Sequence, residues 1–242
     1  MAKLQDGSGI VIPSAEDIGK FRQNLLSWYQ QHGRHFPWRN KSATNYQRIL
    51  AEILLQRTQA ETVASFFPGF VKRFPSWKKL AEATEEELQE CFKPIGLWRR
   101  RAASLNRLAN EMAMRRGRFP REREKLEVLP GVGQYIANAV LMFCHGESQP
   151  LLDANMARVL ERYFGPRKLV DIRYDPYLQS VAREVVTGDS ARLVNWAVLD
   201  LAALVCEQKT PRCSVCPVVE RCRFAREQGS LAREEPGGSL QD

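Results

Sequence analysis

Apolar residues recur along most of this chain at intervals of three and four, the spacing that gathers them on one stripe of a helix. Ile18, Phe21, Leu25, Leu26 and Tyr29 form the first stripe. Ser14, with Asp17 three residues on, supplies a capping-box-like start, so a helix is expected to about Gln31. Gly33 stops it, and the following stretch with Pro37 reads as a loop. Thr44 or Asn45 opens a second helix, with Ile49, Leu50, Ile53 and Leu54 inward and Arg48, Glu52, Gln56 and Gln59 on the opposite stripe. Further helices fit Glu61 to Arg73, Thr84 to Cys91 with acidic residues in its first turn, and Arg99 to Arg116.

From Leu126 to Asp153 the pattern changes. A short helix runs into Leu129-Pro130-Gly131-Val132-Gly133, a second helix starts at Gln134, and Asp153 opens a third. Helices at about Ala154 to Phe164, Pro176 to Val186 and Ala191 to Val205 precede a cysteine-bearing loop. No stretch shows convincing strand alternation, so the expected fold class is all-α. Residues 1–13, weakly patterned and containing glycine and proline, read as a tail, and the polar, glycine-rich end over 227–242 as disordered.

Composition narrows the function classes. With 242 residues and 44% hydrophobic content the chain can bury a core, as one large domain or two small ones. A formal charge of +8 suits a polyanionic partner, nucleic acid or an anionic membrane surface, but equally a basic soluble protein. The start has no apolar leader pattern, and the run around Ile136 to Cys144 is far shorter than the ~18 residues of a membrane span. The expectation is therefore no membrane and a cytoplasmic, nucleoid-associated or otherwise intracellular location. Cys91 and Cys144, alone in apolar segments, read as buried thiols.

Two motifs carry chemistry. In the turn Leu129 to Gly133, Gly131 and Gly133 let the backbone bend sharply and bring bare amides to the N-terminus of the next helix, an arrangement that binds phosphate; an ordinary corner between helices is the alternative. Cys206, Cys213, Cys216 and Cys222 gather four thiols in one loop, suited to an iron-sulfur cluster or to a structural zinc. Ile95-Gly96-Leu97 leading into Arg99, Arg100 and Arg101 is a second glycine turn before a helix, either another phosphate site or a solvated basic face.

Together, the hairpin, an aspartate some twenty residues later and the four-cysteine spacing resemble the helix-hairpin-helix DNA glycosylases of the endonuclease III type, over roughly Ser14 to Phe224. The resemblance implies a two-lobed protein: a six-helix barrel over 44–147, and an iron-sulfur lobe assembled from 14–43 and 148–226. It implies a 4Fe-4S cluster on the four cysteines, and mismatched double-stranded DNA as partner, bent across the cleft between the lobes with one nucleotide flipped out. A monomer is expected.

Within that family, bifunctional members carry a Schiff-base lysine two residues after the last hairpin glycine. Here the position is Tyr135, and a phenol forms no imine, so the implied enzyme is monofunctional. Tyrosine after a polar residue resembles the G:T mismatch thymine and uracil glycosylases, whereas adenine glycosylases usually have a serine-like residue there and an extra C-terminal domain. Asp153 matches the family's catalytic aspartate, although by itself it reads as an N-cap. Glu52, by itself one of a solvent-facing stripe, matches a base-pocket acid. Gln56 and Arg57 match the wedge that fills the gap or reads the orphan guanine, and Asn155 and Arg158 match supports for the loop and contacts to the DNA backbone. Leu129, Gly131, Val132, Gly133 and Gln134 would grip phosphate. Tyr135, Asn138 and Met142 share a helical face that could look into the cleft; Tyr135 could also pack with its hydroxyl tied to backbone. The rival expectations are an adenine glycosylase, which Glu52 would suit as an acid, and a DNA-binding module without chemistry.

Overall fold

The computed structural model describes residues 3–5 and 10–229, and among these the regular structure is almost all helical. It divides into two units, one comprising Arg34–Leu151 with Val186–Arg192, the other Met1–Gly33, Leu152–Val185 and Leu193–Asp242.

The first of these is built from α2 (Asn45–Leu55), α3 (Ala60–Arg73), α4 (Trp77–Ala81), α5 (Glu85–Phe92), α6 (Trp98–Met114), α7 (Arg123–Glu127) and α8 (Gln134–His145). Thr44 with Gln47 and Thr84 with Glu87 form complete capping boxes, each satisfying two backbone donors at a helix start. α2 lies on α8, and α4 and α5 lie on α6. Ile49, Leu50, Leu54, Leu105, Leu108 and Val140 are fully or almost fully buried between them. Each such side chain contributes about 1.5–3 kcal/mol of burial. Phe66, Phe70 and Phe92 form an aromatic cluster, and Trp77 stands edge-on to both Tyr46 and Phe119.

In the second unit α1 (Ala15–His32) is capped by Ser14, whose side chain accepts the Asp17 amide. It packs Phe21 against Tyr163 and Phe164 of α9 (Ala154–Phe164), with ring centroids 4.7 and 5.3 Å apart. α10 (Pro176–Val186), α11 (Ala191–Leu204) and α12 (Arg223–Glu227) follow. Asp175, fully buried, receives the Lys168, Leu169 and Leu178 amides, which ties the loop before α10 to its N-terminus.

Four expectations about the chain's organisation change. Residues 1–13 are not simply a tail: β1 (Lys3–Gln5) pairs antiparallel with β2 (Val11–Pro13), Lys3 opposite Pro13, and Ile12 is buried. Three residues are too few for alternation to show in sequence. The N-terminal segment ends at Gly33 rather than 43, because Trp38 on the 3-10 turn Pro37–Arg39 is buried edge-on to Phe67 of α3. Residues 148–151 likewise stay with α8, where Asn138 donates to the Pro150 carbonyl. Of the expected disordered end, Glu227 closes α12, and 230–242 lie outside the described residues.

Candidate functional site

The hairpin turn is held from both sides. Leu129 and Val132 are buried, the Val132 amide donates to the Leu129 carbonyl at 3.1 Å, and Gly131 and Gly133, on either side of Val132, are exposed. Gly131 has φ 75, a backbone conformation that calls for glycine, and a Cβ there would also displace Ser104 Oγ of α6. Gly133 is the N-cap of α8 and no side chain caps that end. The first-turn amides, starting with Gln134, therefore make a helix N-terminus of the kind that receives an anion.

Tyr135, in the first turn of α8, is half-exposed and donates its hydroxyl to Glu52 Oε2 of α2 at 2.7 Å. A phenol bonded to a carboxylate is a charge-assisted pair, and this one fixes both side chains. Glu52 is not part of a solvent-facing stripe: it is 3% exposed, on the side of α2 that meets α8. Nor do Asn138 and Met142 share an open face with Tyr135. α8 is buried from Ile136 to Met142. Asn138 accepts from Arg123 at 2.7 Å and donates to the Pro150 carbonyl at 2.8 Å, which braces α7 and the chain beyond α8.

Helix α2 ends at Leu55, so Gln56 and Arg57 stand on a turn rather than on the helix, both exposed, with Arg57 left-handed at φ 59. The arginine run on α6 divides. Arg99 and Arg100 are exposed, Arg99 lying over the Trp98 ring, but Arg101 is buried beneath this turn and bonds to it. Sequence reading missed Arg101, though a signal was there: it heads the buried stripe Ala102, Leu105, Leu108, Ala109 and Met112, a position no solvated basic face would occupy.

Asp153 caps α9. Its Oδ1 accepts the Asn155 and Met156 amides at 2.9 and 2.8 Å, while Oδ2 accepts the Asn155 side-chain amide at 2.8 Å. Asn155 in turn accepts from Arg158 at 3.1 Å. The remaining bonds of Arg158 go to the Cys206 and Ala202 carbonyls, both 3.0 Å, so its guanidinium holds the end of α11 to the start of α9. The aspartate is thus fixed at the mouth of a helix N-terminus yet partly open to solvent.

Cys206, Cys213, Cys216 and Cys222 line one small cavity together with Arg162 and Phe224. Arg162 lies over the Phe224 ring and donates to the Glu207 and Gln208 carbonyls and to Cys206 Sγ at 3.4 Å. Burial pushes the Cys216 thiol up to about 12, with smaller contributions from the other thiols, and raises Cys213 and Cys222 as well. Arg221 ties the loop to α1 through Asp17 at 2.9 Å. Among the described residues no three His, Cys, Asp or Glu side chains are grouped to hold a single metal ion.

The model of the HhH-GPD superfamily of base excision DNA repair proteins matches residues 50–172. A thymine/uracil-DNA glycosylase of Pyrobaculum aerophilum is 38% identical, over 88% of this chain and 95% of its own length. A thymine-DNA glycosylase of Aeropyrum pernix is 39% identical, over 86% and 95%. The solved structure of a thermostable thymine-DNA glycosylase superposes with a TM-score of 0.77 at 29% identity, covering 88% of this chain and 98% of that one.

Proposed function

This chain belongs to the HhH-GPD superfamily of base excision DNA repair proteins, and from that premise we propose that it hydrolyses the N-glycosidic bond of thymine or uracil mispaired with guanine and leaves the strand intact. The observation that carries this reading is Tyr135 with its hydroxyl bonded to Glu52, a phenol at the hairpin position where a nucleophilic amine would be needed for lyase chemistry. The relatives that align over nearly their full length, named for thymine or uracil release, support the base preference.

In this reading the exposed glycines and first-turn amides of α8 hold a DNA phosphate, and Gln56 and Arg57 occupy the space left by the flipped nucleotide. Departure of the base leaves the pair of bonding electrons on its ring nitrogen and positive charge on the sugar. The Asp153 carboxylate stabilises that charge and takes a proton from the attacking water, so that a hydroxyl is added at the sugar carbon. Its two backbone amides and the Asn155 side chain fix its direction beforehand. Glu52 and Tyr135 together shape and polarise the wall of the base pocket. A panel of duplexes with T, U or A opposite each base, treated with hot alkali after reaction, tests the reading. Alkali-dependent cleavage is expected at T and U opposite G; cleavage only at A would replace this reading with an adenine glycosylase.

We propose that the four-cysteine cavity takes a 4Fe-4S cluster, for which four thiolates from one loop are a suitable ligand set. Cys206, Cys213, Cys216 and Cys222 line one space between them. Cys206, Cys213, Cys216 and Cys222 would hold the group, which supplies cross-linking of the loop rather than any step of base release. The purified protein is expected to be brown with broad visible absorption and about four irons per chain; a colourless protein with stoichiometric zinc overturns the assignment.

A further inference from the structure

We infer that Arg101 is a positioning residue for recognition of the base opposite the lesion, acting through the turn Gln56 to Thr58; this deepens, and rests on, the glycosylase reading above. Arg101 is 8% exposed at the head of the apolar stripe of α6. Its Nη1 donates to the Leu54 carbonyl at 2.7 Å, and its Nη2 to the Gln56 carbonyl at 3.3 Å and to Thr58 Oγ1 at 2.8 Å. Leu54 and Gln56 carry carbonyls at the C-terminal end of α2, where a helix has no partners of its own and the dipole favours a cation. One guanidinium therefore grips the turn at three points from below.

Stability does not require an arginine here. Its Nε is buried without a partner, and an apolar side chain would complete the stripe without desolvating a charge. The grip gains a fixed shape for a turn that otherwise resists it. Arg57 is held left-handed, a conformation unfavourable for any residue with a Cβ. Leu97, the N-cap of α6, is left-handed too at φ 53, and its carbonyl accepts the Arg101 amide at 2.9 Å. Arg57, Leu97 and Gly131, three left-handed positions from three separate segments, line one groove of about 490 Å³ with Gln56, Arg100 and Ser104. Arg57 and Leu97 are two of the three non-glycine left-handed residues among those described, and strained backbone beside a groove points to a surface whose form is used.

The chemistry of that groove fits a nucleobase. Leu97, Ile53 and Pro130 offer apolar faces for its ring, while the exposed Gln56 amide and Arg57 guanidinium offer directed donors for its edge. Guanine, with two adjacent acceptors, is the base an arginine fork meets best. Arg101 touches none of this edge directly. It decides whether Gln56 and Arg57 are presented in one orientation or several.

The test measures binding of the full-length protein to duplexes carrying a non-hydrolysable abasic analogue opposite G, A, C or T, beside an undamaged duplex. The wild type is expected to prefer G by about tenfold, as one directed bidentate contact allows. Arg101→Met should cut that preference to within about twofold while its affinity for undamaged duplex, governed by phosphate contacts, stays within about twofold of wild type. Arg101→Lys, with the charge kept but the fork lost, should fall between them. A wild type without opposite-base preference, or either variant keeping the full preference, overturns the inference. If Arg101→Met does not fold by circular dichroism, Arg101→Lys carries the comparison. Base release by the wild type is measured in parallel: a preference that depends on Arg101 with no release of T or U from a G mismatch sinks the glycosylase reading and not this one.

Discussion

Asp153→Asn is expected to abolish base release while leaving the protein folded. Asparagine caps helices about as well as aspartate, and its Oδ1 can go on accepting the Asn155 and Met156 amides. What changes is the second oxygen, which now receives the Asn155 side chain. An amide placed there meets another donor, and the negative charge is gone. Loss of a carboxylate that both stabilises a cationic sugar and takes the proton of water should lower the single-turnover rate by about 10²–10⁴-fold. Asp153→Ala separates the two duties, because it loses the charge and also the cap, with an added cost of about 1 kcal/mol in stability. Melting curves should therefore rank the asparagine variant with wild type and the alanine variant below both, while neither releases base. Release by Asp153→Asn at the wild-type rate would show that the aspartate is a cap and nothing more.

Tyr135→Lys is expected to turn base release into strand cleavage. After the base departs, an amine at this place can attack the sugar carbon and form an imine that borohydride reduces to a permanent protein-DNA bond. The wild type, with a phenol there, should give no such band. Glu52 sets the pH dependence. A carboxylate in contact raises a lysine pKa above its ordinary value of about 10.4, and only the deprotonated amine is nucleophilic. Trapped adduct should thus be scarce at neutral pH and increase as pH rises, and adding Glu52→Gln should increase it at neutral pH. Trapping by the wild type would contradict the monofunctional reading. A Tyr135→Lys protein that still releases base yet traps nothing at any pH would mean that this position does not face the sugar.

Most helices and the landmarks of the site were legible in sequence because they depend on local rules. Threonine caps, the three-and-four apolar spacing and the glycines of the hairpin each act within one or two turns of chain. Features decided by tertiary partners were not. Periodicity locates the centre of an apolar stripe but not its width, so Glu52 looked solvent-facing although α8 covers it. The surroundings of Asn138 escape the pattern for the same reason, since its partners Arg123 and Pro150 lie on other segments. Arg101 was read by its charge, whereas its place on the stripe decides its role. The β1–β2 pair was invisible because strands of three residues carry too little pattern.

The way the chain is divided has a bearing on how it is made. The unit with the hairpin is almost one continuous stretch, Arg34–Leu151, and can begin to pack as soon as that stretch leaves the ribosome. The unit with the cysteines cannot. Its α1 emerges first but finds Tyr163 and Phe164 only after the whole of the other unit has been synthesised, and Asp17 meets Arg221 across 204 positions of sequence. Closing so wide a loop costs entropy before any contact repays it. Until then Phe21 and Leu25, which end up fully buried, are uncovered on a helix awaiting its partners. Truncation before Arg221 should consequently take away the partner of Asp17 on the N-terminal helix as well as the Cys222 thiol, and the nascent chain is most exposed to aggregation in the interval between making α1 and making its partners.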